Sequence, residues 1–294
     1  MIIIFSNSHK YLLNNIVIVL PLIFLFVSIF IPSIPHIFAT SSTDSVSKGD
    51  QTINTGTSSS ASTVTGTNDL SISVNPACGQ VIRGNVKLVS NLICNTDGLI
   101  AGTGDIKIDL NGFSIMGPGK NSNKVGIMVG GQTNVNIIGY GSISGFQSGI
   151  YIAGSKGIKT ENLNLNNNKI AVYITGTSLA NINGNMLNNN TIGIASHSNN
   201  QTTIKYNLLN ENDLSGITFI NSADSVINGN NIINSTNGIF LDAQSSQNNV
   251  DFNNVFNNVL DMNNANNLPL NINNNSFTNN NCLTSLPSGL CIGR

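Results

Sequence analysis

Few side chains in this sequence have the chemistry of an acid–base catalyst or of a metal ligand. Charged residues make up 9% of the 294 positions, and His197 is the only histidine after residue 36. A glycoside hydrolase needs two carboxyl groups about 5 to 9.5 Å apart, and a transition-metal site needs clustered His, Cys or Met. The acidic turn from Glu211 to Asp213 is the best calcium candidate, but a solvated turn is the simpler interpretation. We therefore predict no catalytic residue, no metal ligand and no cofactor.

Four other side chains suit a different chemistry, the binding of sugars. The sequence contains an apolar repeat of about 22 residues. Tyr151 and Tyr173 are separated by one repeat length, and Lys159 and Lys205 by approximately two. We therefore expect each pair to share a column of stacked coils. Tyrosine presents an apolar ring with a polar tip. We predict that these four residues bind a neutral or mildly acidic polymer, although the tyrosines could instead form a ring pair that only stabilises a sheet.

The repeat is a series of apolar residues that recur every 21 to 24 positions. One track consists of Ile127, Ile150, Val172, Ile194, Ile217, Ile239 and Leu260, and a second consists of Ile158, Ile182, Ile204, Ile227, Val250 and Ile272. Apolar and polar residues alternate over three to five positions before Asn, Ser or Gly, which indicates short strands broken by turns. A coil of this length cannot bury its own isoleucine, so a core forms only by stacking. The sequence predicts an all-β fold, a single-stranded right-handed parallel β-helix of about eight coils of 22–23 residues.

Asparagine follows the same period. Two columns are predicted, one of Asn162, Asn185, Asn207, Asn230, Asn253 and Asn275 and one of Asn166, Asn188, Asn210, Asn234, Asn257 and Asn279. Because an amide both donates and accepts hydrogen bonds, stacked copies are expected to form ladders from coil to coil. We interpret most of these asparagines as structural.

In this register the charged residues do not pair as a hydrolase requires. Asp251 shares a predicted column with Lys205 and Lys159, and Asp242 shares one with His197. In the regular coils we find no column with two carboxylates in adjacent or next-but-one coils.

The chain divides into three segments by composition. An uncharged apolar run from Ile16 to Ile31 follows Lys10, so residues 1–39 are predicted to be a signal peptide or, alternatively, an uncleaved membrane anchor. Residues 40–75 are rich in Ser and Thr and are predicted to be a flexible linker. Residues 76–294 form the predicted β-helix domain, and under either interpretation of the first segment the domain is exported.

The four cysteines form one close pair at each end of the predicted domain: Cys78, Cys94, Cys282 and Cys291. Four cysteines allow three connectivities. Their clustering favours the pairs Cys78–Cys94 and Cys282–Cys291, which would staple the two ends of the stack. A zinc site is the rival interpretation, but the sequence has no CxxC and no nearby histidine to support it.

Two segments carry a resemblance to a known family. They are Asp105-Ile-Lys-Ile-Asp-Leu-Asn-Gly-Phe-Ser-Ile-Met-Gly117 and Asn134-Val-Asn-Ile-Ile-Gly-Tyr-Gly-Ser-Ile-Ser-Gly-Phe146. Together with the Asn-x-Ile and Gly-Ile repeats, they resemble right-handed β-helix repeat proteins of the pectin-lyase-like superfamily, including the NosD-type domain of carbohydrate-binding and sugar-hydrolase proteins. The resemblance covers about Ala77 to Asn281. It implies the fold, whereas proteins of this kind include lyases, hydrolases and non-catalytic surface proteins.

Three functions follow as hypotheses. The first is a secreted or cell-surface β-helix that binds extracellular polysaccharide or serves as a surface scaffold without catalysis. The second is a polysaccharide lyase or glycoside hydrolase, and the third is a NosD-like copper-site maturation protein, which the scattered ligands disfavour. A formal net charge of −1 argues against nucleic acid as a partner, and membrane contact is expected only through the N-terminal segment if it is uncleaved.

Overall fold

The structure is a computed structural model that describes residues 75–266, 268 and 274–292. The predicted signal segment, residues 1–39, and all of the predicted linker except residue 75 lie outside the described residues. Every regular element in the described part is a β-strand. Among these residues there is no apolar helix of membrane-spanning length.

Twenty-eight strands of the described chain form three sheets, in which neighbouring strands are parallel and follow chain order. Sheet A contains β1 (Gln80–Ile82), β4 (Leu99–Ala101), β7 (Val125–Gly130), β10 (Ser148–Ala153), β13 (Ile170–Thr175), β16 (Ile192–His197), β19 (Ser215–Ile220), β22 (Asn237–Leu241), β25 (Leu260–Asn264) and β28 (Ser285–Leu286). Sheet B contains β2 (Val86–Lys87), β5 (Lys107–Asp109), β8 (Asn136–Ile138), β11 (Lys159–Glu161), β14 (Asn181–Asn183), β17 (Thr203–Lys205), β20 (Val226–Asn228), β23 (Asn249–Asp251) and β26 (Ser276–Thr278). Sheet C contains β3 (Leu92–Ile93), β6 (Ser114–Met116), β9 (Ser142–Ser144), β12 (Asn164–Asn166), β15 (Met186–Asn188), β18 (Leu208–Asn210), β21 (Asn231–Ile233), β24 (Asn254–Phe256) and β27 (Asn281–Cys282). The described chain therefore passes through sheets A, B and C nine times and adds a tenth strand to sheet A, which confirms the predicted parallel β-helix with about one more coil than expected.

The core is the stack of apolar side chains that point inward from the three sheets. Ile217 pairs in register with Ile194 of the preceding coil and Ile239 of the following coil, and these three side chains are at most 1% exposed. The predicted core of the central coils is confirmed.

Three members of the predicted tracks are displaced by irregular coils. Met262 takes the place of Leu260, Thr160 the place of Ile158 and Phe277 the place of Ile272, which lies outside the described residues. The step from Val250 to its partner Phe277 is longer than the repeat, so counting a constant step selects the wrong residue there.

Asparagine ladders line the inside of the turns, as the sequence predicts. Asn207 is typical: its Oδ1 accepts hydrogen bonds from the backbone N and the Nδ2 of Asn185, at 2.9 and 3.0 Å. Its own Nδ2 donates to the carbonyl oxygen of Ile182 at 2.9 Å and to Oδ1 of Asn230 at 3.0 Å. The side chain thus satisfies buried backbone groups that turns would otherwise leave without partners.

The membership of the ladders differs from the predicted columns. One ladder contains Asn185, Asn207, Asn230, Asn253 and Asn280, and another contains Asn168, Asn190 and Asn212. Asn162, predicted to begin the first column, is exposed in a turn, and Asn275 accepts from Asn248 in a separate series. With asparagine at so many positions, a column counted at the repeat length can pass from inward to outward residues without any visible break.

Both ends of the stack are closed by the predicted disulfides. Cys78 is bonded to Cys94 and Cys282 to Cys291, with Cα–Cα distances of 5.5 and 5.2 Å. Near the C-terminal end, Asp261 is 1% exposed; its Oδ1 accepts from Asn258, and its Oδ2 accepts from the backbone N atoms of residues 283 and 284. This buried carboxylate therefore accepts hydrogen bonds from backbone and amide donors of the last coils.

Candidate functional site

The outward face of sheet B is a largely polar surface made of two columns. The near column, next to the turn into sheet C, contains Lys87, Asp109, Ile138, Glu161, Asn183, Lys205, Asn228, Asp251 and Thr278. The far column contains Lys107, Asn136, Lys159, Asn181, Thr203, Val226, Asn249 and Ser276. No member of either column is buried. Because strand residues two apart point the same way, both columns face solvent and together offer amide, hydroxyl and charged groups at one-coil intervals.

Lys159 and Lys205 both lie on this face, but the prediction that they share one column is wrong. Lys159 pairs with Asn181, whereas Lys205 pairs with Asn183. The residue two coils beyond Lys159 in its own column is Thr203, which precedes Lys205 by two positions along the strand. Within the described residues neither lysine forms an ion pair, and both ammonium groups are available to a ligand.

A row of left-handed turn residues borders the near column, in the turn from sheet B to sheet C. The row consists of Tyr140, Asn162, Gly184, Tyr206, Gly229, Phe252 and Asn279, with φ between 53° and 66°. We call its aromatic members, Tyr140, Tyr206 and Phe252, the aromatic ridge. Their side chains are 81%, 66% and 59% exposed, so the rings contribute little to the core.

The residues of the aromatic ridge are large, although a left-handed backbone conformation suits small residues better. A left-handed backbone costs a residue with Cβ about 1 kcal/mol, and Gly and Asn tolerate it best. A Cβ atom added to Gly229 would lie 2.7 Å from Cε1 and 2.8 Å from Cδ1 of Tyr206. The Tyr206 ring therefore lies across Gly229 of the next coil, which leaves its outer face open along the edge of sheet B.

Tyr151 and Tyr173 lie on sheet A, not on sheet B. They pair in register as predicted, and their ring centroids are 5.4 Å apart with an interplanar angle of 49°. Both side chains are half-buried. A turn over residues 154–158 separates their sheet from the strand that carries Lys159, so the structure does not bring the predicted tyrosine and lysine pairs together on one sheet.

Burial raises the pKa of Tyr151 above its ordinary value of 10.0. Burial is also the main cause of the raised pKa of Tyr173; the nearby Tyr151 raises it further, and a hydrogen bond with Thr175 lowers it. Because the folded-state pKa of each tyrosine is raised, its contribution to the free energy of unfolding is fully present below the pKa of the unfolded chain. This contribution is lost as the pH rises through the folded-state pKa. We expect the free energy of unfolding to fall above pH 10, and to fall less in a Tyr151→Phe/Tyr173→Phe variant. Urea unfolding at a series of alkaline pH values measures this, and equal slopes for the two proteins would contradict it.

A depression of about 500 Å³ lies at the N-terminal end of the near column, lined by Asp109, Asn111, Gly112, Ile138, Gly139, Tyr140, Glu161 and Asn162. The Asp109 carboxylate packs against Gly139, accepts from the backbone N of Asn111 at 2.8 Å and lies 3.9 Å from Nζ of Lys107. Glu161 has no hydrogen-bond or ion-pair partner in the described part of the chain.

Asp109 and Glu161 form a carboxylate pair of this kind, outside the regular coils in which we predicted none. Both residues pair with Ile138, from opposite sides, so they occupy next-but-one coils of the same column. The step from Asp109 to Ile138 is longer than the repeat because the coil includes an extended connection between β6 and β7. A constant repeat length conceals the pair in the sequence.

The other histidine, methionine and aspartate side chains that could act as metal ligands lie apart. Nδ1 of His197 is 3.4 Å from Oγ1 of Thr175 on sheet A, Met186 is exposed on sheet C and Met262 is in the core. Asp213 is 3.8 Å from Lys120. Among the described residues, no three His, Cys, Asp or Glu side chains are close enough to hold one metal ion.

The sequence matches one protein family, described as the right handed beta helix region, over residues 99–255 and, in an overlapping match, residues 148–292. No curated protein matches the sequence significantly.

Several solved structures are similar to this chain. A DFA-IIIase mutant from Arthrobacter chlorophenolicus in complex with DFA-III is 13% identical, with a TM-score of 0.47, over 67% of this chain and 53% of that one. Tailspike protein 2 from an Escherichia coli O157:H7 bacteriophage is 17% identical, with a TM-score of 0.38, over 69% and 33%. PfbA, a surface adhesin of Streptococcus pneumoniae, is 13% identical, with a TM-score of 0.28, over 61% and 70%. The chain thus spans about half of the first protein and a third of the second.

Proposed function

We propose that this chain, which belongs to the right-handed β-helix family, is an exported, non-catalytic protein that binds extracellular polysaccharide at the cell surface. Two disulfides support an oxidising location, because disulfides persist mainly outside the cytosol. The binding surface is the outward face of sheet B together with the aromatic ridge.

One observation carries the proposal: three exposed aromatic rings border a solvent-exposed face on which amide and hydroxyl groups recur, with several lysines among them. Sugars are recognised by groups of these two kinds, since a ring packs on the apolar face of a sugar while amides and hydroxyls exchange hydrogen bonds with its hydroxyls. Binding needs only the repeated placement of such groups. The face supplies this placement at intervals of about 4.8 Å, the strand spacing.

The predicted residues divide between two surfaces in this proposal. Lys159 and Lys205 belong to the sheet B surface, where their unpaired ammonium groups donate to sugar oxygens or to an occasional acidic group. Tyr151 and Tyr173 offer a second stacking surface on sheet A. Their half-buried rings leave only part of each face open, so we expect them to contribute less than the aromatic ridge.

The test is a binding assay of the full chain with a panel of insoluble polysaccharides, neutral and acidic, followed by analysis of the supernatant for products. We expect binding without release of reducing ends or unsaturated sugars. Two variants, Lys159→Ala/Lys205→Ala and Tyr151→Ala/Tyr173→Ala, should each weaken binding, by up to about tenfold, or about 1.4 kcal/mol. Failure to bind any polysaccharide of the panel would refute the proposal.

Asp109 and Glu161 favour a second candidate, a glycoside hydrolase. Their Cα atoms are two strand spacings apart, about 9.6 Å, and their side chains line one depression next to the exposed ring of Tyr140. Inverting hydrolases hold their two carboxyl groups about 6.5 to 9.5 Å apart, with room for a water between acid and base. In this candidate Glu161, without an internal partner, would be the acid and Asp109, held beside Lys107, the base.

Product analysis separates the two candidates. A hydrolase should release reducing ends, and Asp109→Asn and Glu161→Gln should each abolish the release while leaving the polysaccharide bound. Asp251→Asn, on the same column two coils beyond Lys205, is the matched control and should leave the release unchanged. Bound polysaccharide without products would exclude hydrolysis for that substrate, whereas release that requires Glu161 would replace the non-catalytic proposal.

A further inference from the structure

We propose that the ligand of sheet B is a neutral polysaccharide chain that lies parallel to the axis of the β-helix along the aromatic ridge. This inference rests on the proposed function and adds the class of polymer, its direction and the length that the surface recognises. It follows from the placement of the rings and from the order of charges along the near column.

The direction follows from how the recognition groups repeat. Around one coil the outward residues change sheet after a few positions, whereas along the axis the same position recurs from coil to coil. Tyr140 and Phe252 are five coil steps apart in the row of left-handed residues, a distance of about 24 Å. A polymer that contacts the whole aromatic ridge must therefore lie along the axis. A sugar in an extended 1,4-linked chain is about as long as one strand spacing, so about five or six sugars cover this distance.

The neutral class follows from the charges. The two columns carry three lysines and three carboxylates between β5 and β26: Lys107, Lys159, Lys205, Asp109, Glu161 and Asp251. Along the near column the order is Lys87, Asp109, Glu161, Lys205 and Asp251. The part that lies against the aromatic ridge, from the coil of Tyr140 to that of Phe252, carries one lysine, Lys205, between two carboxylates, those of Glu161 and Asp251. A polymer with an acidic group on every sugar would meet one lysine and two carboxylates along this part of the near column, and like charges at these positions repel. A neutral polymer meets no such repulsion.

The rings are exposed at positions where the fold also accepts asparagine, which supports a role for them in binding the ligand. Asn162 and Asn279 occupy the same row with the same backbone conformation, so the fold accepts a small polar residue at this position. Tyr206 and Phe252, two coils apart, instead expose most of their rings and flank Gly229, across which the Tyr206 ring lies. Two rings at this spacing contact every second sugar of an extended chain.

The experiment uses soluble cello-oligosaccharides from the disaccharide to the hexasaccharide, with oligogalacturonides of equal length as acidic probes, and isothermal titration calorimetry of the full chain. A neutral polymer panel of glucan, xylan and mannan identifies the best neutral probe first, and its oligosaccharides replace the cello series if it binds more tightly. The ridge variant is Tyr206→Asn/Phe252→Asn, which introduces the residue that the row already contains. The control variant is Met186→Asn, which changes an exposed side chain of sheet C.

Neutral probes should bind at least about tenfold more tightly than acidic probes, with an affinity that rises up to the pentasaccharide or hexasaccharide and changes little with salt. The ridge variant should lose at least about tenfold in affinity, and the control should lose none. Tighter binding of the acidic probes, or equal affinity for disaccharide and hexasaccharide, would overturn the inference while leaving the proposed function intact. Full affinity in the ridge variant would overturn the inference as well, by moving the site elsewhere, and an absence of binding to every polysaccharide would overturn the function and the inference together.

Discussion

Replacing Ile217 with aspartate should leave the protein without a cooperative unfolding transition. The Ile217 side chain is fully buried between Ile194 and Ile239, so the new carboxylate would lie in an apolar stack with no partner. Burial of an unpaired charge costs several kcal/mol, which is a large share of the total stability of a typical domain, about 5–15 kcal/mol. Circular dichroism during urea and thermal unfolding measures the result.

The matched control is Ile217→Val, which removes one methylene at the same site and should cost about 0.5 to 1.5 kcal/mol. An Ile217→Asp protein that still unfolds cooperatively, within about 2 kcal/mol of the original, would show that the coils do not share one stacked core. Each coil contacts only its neighbours. An unfolding transition of reduced amplitude would therefore indicate that only the central coils, around residue 217, have lost their structure.

Replacing Asn207 with leucine should have the second largest effect, a loss of about 3 to 6 kcal/mol. The leucine removes the acceptor of the Asn185 backbone N and side chain and the donor to the Ile182 carbonyl. These groups lie in the interior, where each unsatisfied donor or acceptor costs about 1 to 3 kcal/mol. Leucine fills a similar volume, so the loss reports the hydrogen bonds and not a cavity.

The control for the ladder is Asn231→Leu, at an exposed position on sheet C of the next coil, where the change should stay within about 0.5 kcal/mol. Urea unfolding of the two variants gives the comparison. Equal and small losses would mean that the buried ladder contributes no more to stability than a surface amide does.

The fold was predictable from the sequence because the inward positions obey a strict rule. At Ile194, Ile217 and Ile239 only an apolar side chain is compatible with the stack, so the pattern is visible without knowledge of the turns. The disulfides were predictable for a similar reason, since the cysteines occur only at the two ends. The existence of asparagine ladders was predictable, but the residues that form each ladder were not, because inward and outward asparagines look alike in a sequence.

The candidate site was harder to predict because it depends on an accurate register on the outward face. Lys159 was assigned to the column of Lys205, a position that Glu161 occupies, and the longer coil hid the relation of Glu161 to Asp109. An outward residue has no packing constraint that would mark such an error of two positions. A signal for the aromatic ridge does exist in the sequence: Tyr206 and Phe252 directly follow the last residue of a sheet B strand, where the other coils from β8 onward have Asn or Gly.

The asparagine ladder joins the coils from Asn185 to Asn280 by the same hydrogen bonds at each step. The number of these coils can therefore change in evolution without a change in the contacts between them. Asn185 requires an acceptor from the following coil, Asn207 requires one in turn, and the same bond is repeated at each step. A gene duplication or deletion of one whole coil within this stretch would create a junction that already has all its partners, provided that the two ends with their disulfides stay in place. Lineages could therefore lengthen or shorten the surface without redesigning any part of it.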